Sequence, residues 1–133
     1  MNLKIAAAIC SSLISLPVPV SSQAPERQPL VLPLDCASGD CALLRGEPQT
    51  AGMHSGLVRL KPGETVGWHT TGRHEEALVI LHGTGEAQIE GRAGLPVGSQ
   101  MLVYIPPEIR HNVKNTGDTV LEYVYVVAPI SGR

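Results

Sequence analysis

Five histidines carry most of the chemistry legible in this chain. His54, His69, His74 and His82 lie within positions 54–82, beside Glu75 and Glu76, and His111 follows. Imidazoles grouped with carboxylates are the usual donor set for divalent first-row metals. In an extended strand alternate residues share a face. His69 then shares a face with Thr71, Glu76 with Leu78 and Ile80, and His111 with Val113 and Asn115. If those faces point into one closed sheet, His69, Glu76 and His111 converge among aliphatic neighbours. An apolar surround suits a metal because it controls water access and local dielectric. His74 stands two residues before Glu76 and joins its face if the strand already begins there. His54 and His82 read as surface or turn residues, His82 directly preceding Gly83.

The elements that would position these residues are short strands. Candidates are His54–Lys61, Thr65–Thr71, Glu76–Leu81, Gly85–Glu90, Met101–Ile105, His111–Asn115 and Val120–Val127. They are ended by Pro62-Gly63, Gly72-Arg73, Gly83, the turn-rich stretch 91–98, Pro106-Pro107 and Gly117-Asp118. Turns about every ten residues indicate an all-β sandwich or barrel. Outside the N-terminal segment no window carries a helical stripe. With one Trp, three Tyr and no Phe, the core must be built from Val, Leu, Ile and Ala.

The stretch from Pro62 to Gly83 resembles the first conserved motif of the cupin superfamily, with Gly63, His69, Glu76 and Gly83 at the expected intervals. Pro106, His111 and Asn115, preceded by Gly98, resemble the second. The resemblance implies a single-domain cupin-type β-barrel, or jelly roll, over residues 51–133. It also implies metal ligation by His69, Glu76 and His111. Thr71 replaces the second histidine of the first motif, Glu108 stands where the second has glycine, and Gly98 lies two residues farther from Pro106 than the pattern prefers. The family's fourth ligand therefore has two candidate replacements. Either His74 supplies it, or Thr71 faces a metal-bound water and His74 sits on the rim.

Residues 1–24 read as a secretory signal peptide. Lys4 precedes an apolar run from Ile5 to Leu16, Pro17 and Pro19 end that run, and Ser22-Gln23-Ala24 offers a cleavage site. The run is too short to span a bilayer; a retained anchor or a buried N-terminal helix is the alternative. Ile9 before Cys10 argues against lipidation. Cleavage would lower Lys+Arg from 10 to 9 against 12 Asp+Glu, a net charge of −3. No basic stripe is present, so a nucleic-acid partner is not expected. After cleavage no membrane span is expected either, and the location would be secreted or periplasmic. Residues 25–50 read as an N-terminal arm with strand-like stretches at Leu30–Leu34 and Ala42–Leu44. In an oxidising compartment Cys36 and Cys41, separated by the turn sequence Ala-Ser-Gly-Asp, pair as a disulfide.

The expected cofactor is a divalent metal ion, with Fe, Mn, Zn, Ni, Co and Cu all compatible with a His/Glu set. By resemblance, the expected function is that of a metal-dependent enzyme, dioxygenase-like or an isomerase or lyase, on a small organic molecule. The competing reading is a non-catalytic module binding a small molecule or a sugar. An open coordination site facing a cavity favours the first, and a packed lumen the second. Trp68, Met53, Tyr104, Arg110, Tyr123 and Tyr125 are candidates to line a pocket, and a homodimer through the arm or an edge strand is a further expectation.

Overall fold

The computed structural model describes residues 26–37 and 39–130; the expected signal peptide lies outside them. Among the described residues there is no helix, and eight strands follow one another: β1 (Cys41–Arg45), β2 (His54–Leu60), β3 (His74–His82), β4 (Thr84–Ile89), β5 (Leu95–Gly98), β6 (Leu102–Ile105), β7 (His111–Asn115) and β8 (Leu121–Pro129). They form a five-stranded sheet in the order β1-β2-β8-β3-β6 and a three-stranded sheet in the order β5-β4-β7. Each pairing is antiparallel.

The inner faces of the two sheets enclose one core. The larger sheet contributes Val58, Leu60, Leu78, Ile80, Val103, Ile105, Leu121 and Tyr123; the smaller contributes Ala87, Val97 and Val113. β3 follows the expected two-residue period, with Glu76, Leu78 and Ile80 buried and Val79 exposed. On β7, His111, Val113 and Asn115 are buried while Lys114 faces water. Asn115 closes the wall behind them. Its Nδ2 donates to the carbonyls of Leu60 and Thr119 at 2.8 and 2.7 Å, and its Oδ1 accepts from the Gly117 N–H at 2.8 Å.

Three local expectations change. The candidate strand Thr65–Thr71 is not a regular strand. It runs beside β7 through isolated bridges at Thr65 with Lys114 and His69 with His111. Gly67, at φ +90°, breaks the extended path between them. Leu30–Leu34 forms no strand, whereas Ala42–Leu44 falls within β1. The turn-rich stretch 91–98 contains β5, paired with β4. A Cys36–Cys41 disulfide closes the loop before β1, with the Cα atoms 5.7 Å apart. The same loop is fastened to β2, since Asp40 Oδ1 accepts from the Arg59 N–H at 2.8 Å.

Candidate metal centre

Three elements deliver the donors. β3 turns Glu76 inward, β7 turns His111 inward, and the segment before β3 places His69 opposite His111. Reciprocal backbone hydrogen bonds of 2.9 Å hold the last pair in register. The two imidazoles meet edge to face, ring centroids 4.3 Å apart. One donor atom from each of His69, Glu76 and His111 falls within 4.8 Å of the others. Glu76 and His111 are buried, and His69 is exposed.

The backbone fixes which nitrogens point at the centre. His69 Nδ1 lies 2.8 Å from the Gly67 carbonyl and His111 Nδ1 lies 2.9 Å from the Ile109 carbonyl. A carbonyl only accepts, so both Nδ1 atoms donate. In the neutral tautomer Nε2 then carries the free lone pair, the arrangement found at metal-binding histidines. Asn112, on the other face of β7, supports His69 indirectly. Its Oδ1 accepts from the Gly67 N–H at 2.9 Å, and its Nδ2 donates to Gln88 Oε1 at 2.8 Å. Sequence reasoning did not single out Asn112 or Gly67, because their role depends on a contact made across 45 residues.

Glu76 Oε2 and His111 Nε2 face each other at 3.1 Å, and each is buried without a hydrogen-bond partner. Two lone pairs at that distance in a buried site need a positive species, either a proton on the imidazole or a cation between the donors. Burial works to lower the His111 pKa. The adjacent Glu76 carboxylate and the Ile109 carbonyl outweigh it, and the pKa is raised above the ordinary histidine value. A carboxylate and two oriented imidazoles are thus a donor set that fits a divalent metal.

The centre forms one wall of a cavity of about 270 Å³ that is also lined by Thr71, Val58, Val66, Val113, Val127, Tyr123 and Tyr125. Burial, followed by the charges of Glu76 and Asp40, raises the pKa of both tyrosines, that of Tyr123 far above the usual phenol range. The structure brings His69, Glu76 and His111 together and leaves His74 outside the group. His74 opens β3, and its Nδ1 donates to the Thr71 carbonyl at 3.1 Å. The Thr71 hydroxyl donates to the His74 carbonyl at 2.9 Å, and Thr71 lines the cavity.

Of the other pocket candidates, only Tyr123 and Tyr125 line this cavity. Trp68 is exposed under the Arg110 guanidinium, 5.5 Å from its ring centroid, and Arg110 pairs with Glu90 at 2.7 Å. Tyr104 and Met53 are exposed as well.

Residues 56–127 match the Cupin domain family. A stretch of 89 residues is 29% identical to Polyketide synthase CurC of Streptomyces cyaneus, spanning 65% of this chain and 57% of that protein's length. A Thermotoga maritima crystal structure described as a predicted oxalate decarboxylase superposes with a TM-score of 0.63 at 26% identity, over 68% of this chain and 79% of that one. A Cupin 2 conserved barrel domain protein from Salinispora arenicola superposes with a TM-score of 0.59 at 27% identity, over 80% and 90% of the respective chains.

Proposed function

The chain belongs to the cupin domain family, and from that premise we propose that it is an exported metal-dependent enzyme acting on a small, oxygen-bearing organic molecule. The observation that carries this reading is the position of the three donors: they form a wall of an apolar cavity of about 270 Å³. Three protein ligands leave coordination positions open, as catalytic sites do and closed structural sites do not. The cavity lies near the lower end of the range for small-molecule sites, which suits a ligand smaller than a typical drug.

His69 Nε2, Glu76 Oε2 and His111 Nε2 would hold the ion. Once bound, a metal here supplies Lewis-acid polarisation of a substrate oxygen, or dioxygen chemistry if it is iron. The protein does the rest. The Gly67 and Ile109 carbonyls keep the two imidazoles aimed. Val58, Val66, Val113 and Val127 exclude water and leave the substrate's apolar part against hydrocarbon. Exposed His69 marks the side from which substrate enters, and Thr71 offers a hydroxyl oxygen that can accept a hydrogen bond from a water or substrate there. The Cys36–Cys41 disulfide supports export, because such bonds persist in oxidising compartments.

Elemental analysis of protein recovered from the exporting compartment tests the reading, joined to titration of metal-free protein with Zn²⁺, Mn²⁺ and Fe²⁺. The expected result is one ion per chain in the wild type and loss of that ion in His69→Ala and His111→Ala. Wild-type protein that takes up none of the three ions would remove the proposal.

A further inference from the structure

A line of side-chain hydrogen bonds crosses the outer face of the smaller sheet and ends at His69. It starts at Glu86 on β4, whose Oε1 accepts from Gln88 Nε2 at 3.0 Å. Gln88 Oε1 accepts from Asn112 Nδ2 on β7 at 2.8 Å, and Asn112 Oδ1 accepts from the Gly67 N–H at 2.9 Å. The Gly67 carbonyl accepts from His69 Nδ1 at 2.8 Å. Each amide has one possible orientation. A backbone N–H needs an acceptor, so Asn112 turns its oxygen to Gly67 and its amide nitrogen to Gln88. Gln88 must then give its oxygen to Asn112 and its amide nitrogen to Glu86, whose carboxylate only accepts.

The sheet does not need this line to hold together. β4 and β7 already pair through their backbones from Gly85 to Ile89. The line runs on to Gly67, which belongs to no strand. On either side of Gly67 the backbone is tied to β7, by the Val66 N–H to the Val113 carbonyl at 3.1 Å and the His69 N–H to the His111 carbonyl at 2.9 Å. Between those ties Asn112 holds the Gly67 N–H. The carboxylate at the far end also matters. It polarises the Gln88 amide and makes the Gln88 oxygen a better acceptor, and the same shift passes through Asn112 to the bond with Gly67. Glu86 is seated for this task. A Cβ at Gly94 would stand 2.7 Å from Glu86 Cγ and Oε1, and the three nearest atoms it would meet all belong to that side chain. Gly94 thus leaves the room in which the carboxylate lies.

We propose that Glu86 and Gln88 are positioning residues: through Asn112 and Gly67 they fix the direction and the tautomer of the His69 imidazole, so that Nε2 faces the centre with its lone pair free. Their importance for metal binding rests on the reading of His69 as a ligand; their effect on the imidazole does not. His111 is outside the line, since its Nδ1 is held by the Ile109 carbonyl.

Two variants test this, Gln88→Leu, which cuts the line, and Gly94→Ala, which displaces the Glu86 carboxylate and alters no member of the line. Long-range ¹H–¹⁵N NMR of the metal-free proteins at alkaline pH, where an imidazole is neutral, reads which ring nitrogen carries the proton. Zinc titration follows on the same samples. In the wild type both histidines should be protonated on Nδ1. In each variant His69 should gain the Nε2-protonated form while His111 keeps its signals, and zinc should bind about tenfold more weakly, the low end of the range for groups that orient a ligand from behind. A general loosening of the fold would move both histidines together. The proposal falls if His69 keeps its signals in both variants, if His111 moves equally, or if a wild type that takes up zinc loses no affinity in either variant. If the wild type takes up no zinc, the metal-centre reading fails by itself, and the ring signals alone decide the role of Glu86 and Gln88. Should Gln88→Leu fail to fold, Gly94→Ala decides.

Discussion

Replacing Glu76 by Gln would separate the proposed metal-binding role of this side chain from its structural one. Glu76 and His111 are 5% and 1% exposed, with Oε2 and Nε2 3.1 Å apart. Gln fills the same space, and its amide can donate to the lone pair of His111 Nε2. The metal-free variant thus exchanges a charged contact for a neutral hydrogen bond and should change in stability by only about 1–2 kcal/mol. The metal-loaded state behaves differently. Removing one partner of a buried charge pair costs about 3–5 kcal/mol, roughly a thousandfold in affinity at the middle of that range. At a free Zn²⁺ concentration 100 times the wild-type Kd, binding stabilises the wild type by about 2.7 kcal/mol. For a domain of this size that raises the melting midpoint by about 10 °C. The same zinc concentration is then about a tenth of the variant's Kd and adds less than ~0.1 kcal/mol. Thermal unfolding of both proteins, each with and without zinc, reads the difference directly. A Glu76→Gln protein that still gains about 10 °C and holds one zinc would refute the assignment of this carboxylate as a ligand.

Other perturbations have equally definite outcomes. Protons compete with the metal for His111, whose pKa in the metal-free protein is raised above 6.5. Apparent affinity should therefore climb with pH and level off only above 6.5, as read by dye-competition titrations between about pH 5 and 8.5; a plateau reached below 6.5 would contradict the Glu76–His111 contact. Asn112→Ala frees the Gly67 loop that aims His69 and should lower zinc affinity about 10- to 100-fold with the fold intact by circular dichroism. Asn115→Ala strips partners from three backbone groups and should cost about 3 kcal/mol or more in urea unfolding. Glu108 holds a left-handed φ of 65°, and its N–H donates to the Gly72 carbonyl at 2.7 Å. Glu108→Gly should stabilise the protein by about 1 kcal/mol in the same assay, since glycine adopts that conformation without a Cβ penalty.

The two-residue period shows which side chains of β3 and β7 turn inward, and it is readable before folding because alternation is a property of each strand alone. Glu76, Leu78 and Ile80 on one strand, and His111, Val113 and Asn115 on another, needed no tertiary information to be grouped. The short loop between Cys36 and Cys41 made their pairing legible in the same way. The stretch around His69 was harder. Its residue types suit a strand, yet the left-handed Gly67 leaves only two bridges to β7. Whether such a segment pairs at all depends on Asn112 and the β7 carbonyls, which lie more than 40 residues away.

From its order of residues alone this chain determined an all-β class, the inward faces of its strands and the residue types of a candidate metal centre. The first two follow from local alternation and turn chemistry, the third from the donor chemistry of His and Glu and the motif resemblance. Tertiary structure decided that His69, Glu76 and His111 come within 4.8 Å of one another while His74 stays outside. It also decided that Tyr125 rests on Gly56 and that a cavity remains beside the donors. The physical reason is that distances between strands are set by how two sheets close over a shared core. That closure sums contacts across the whole chain, and no short window of sequence contains them.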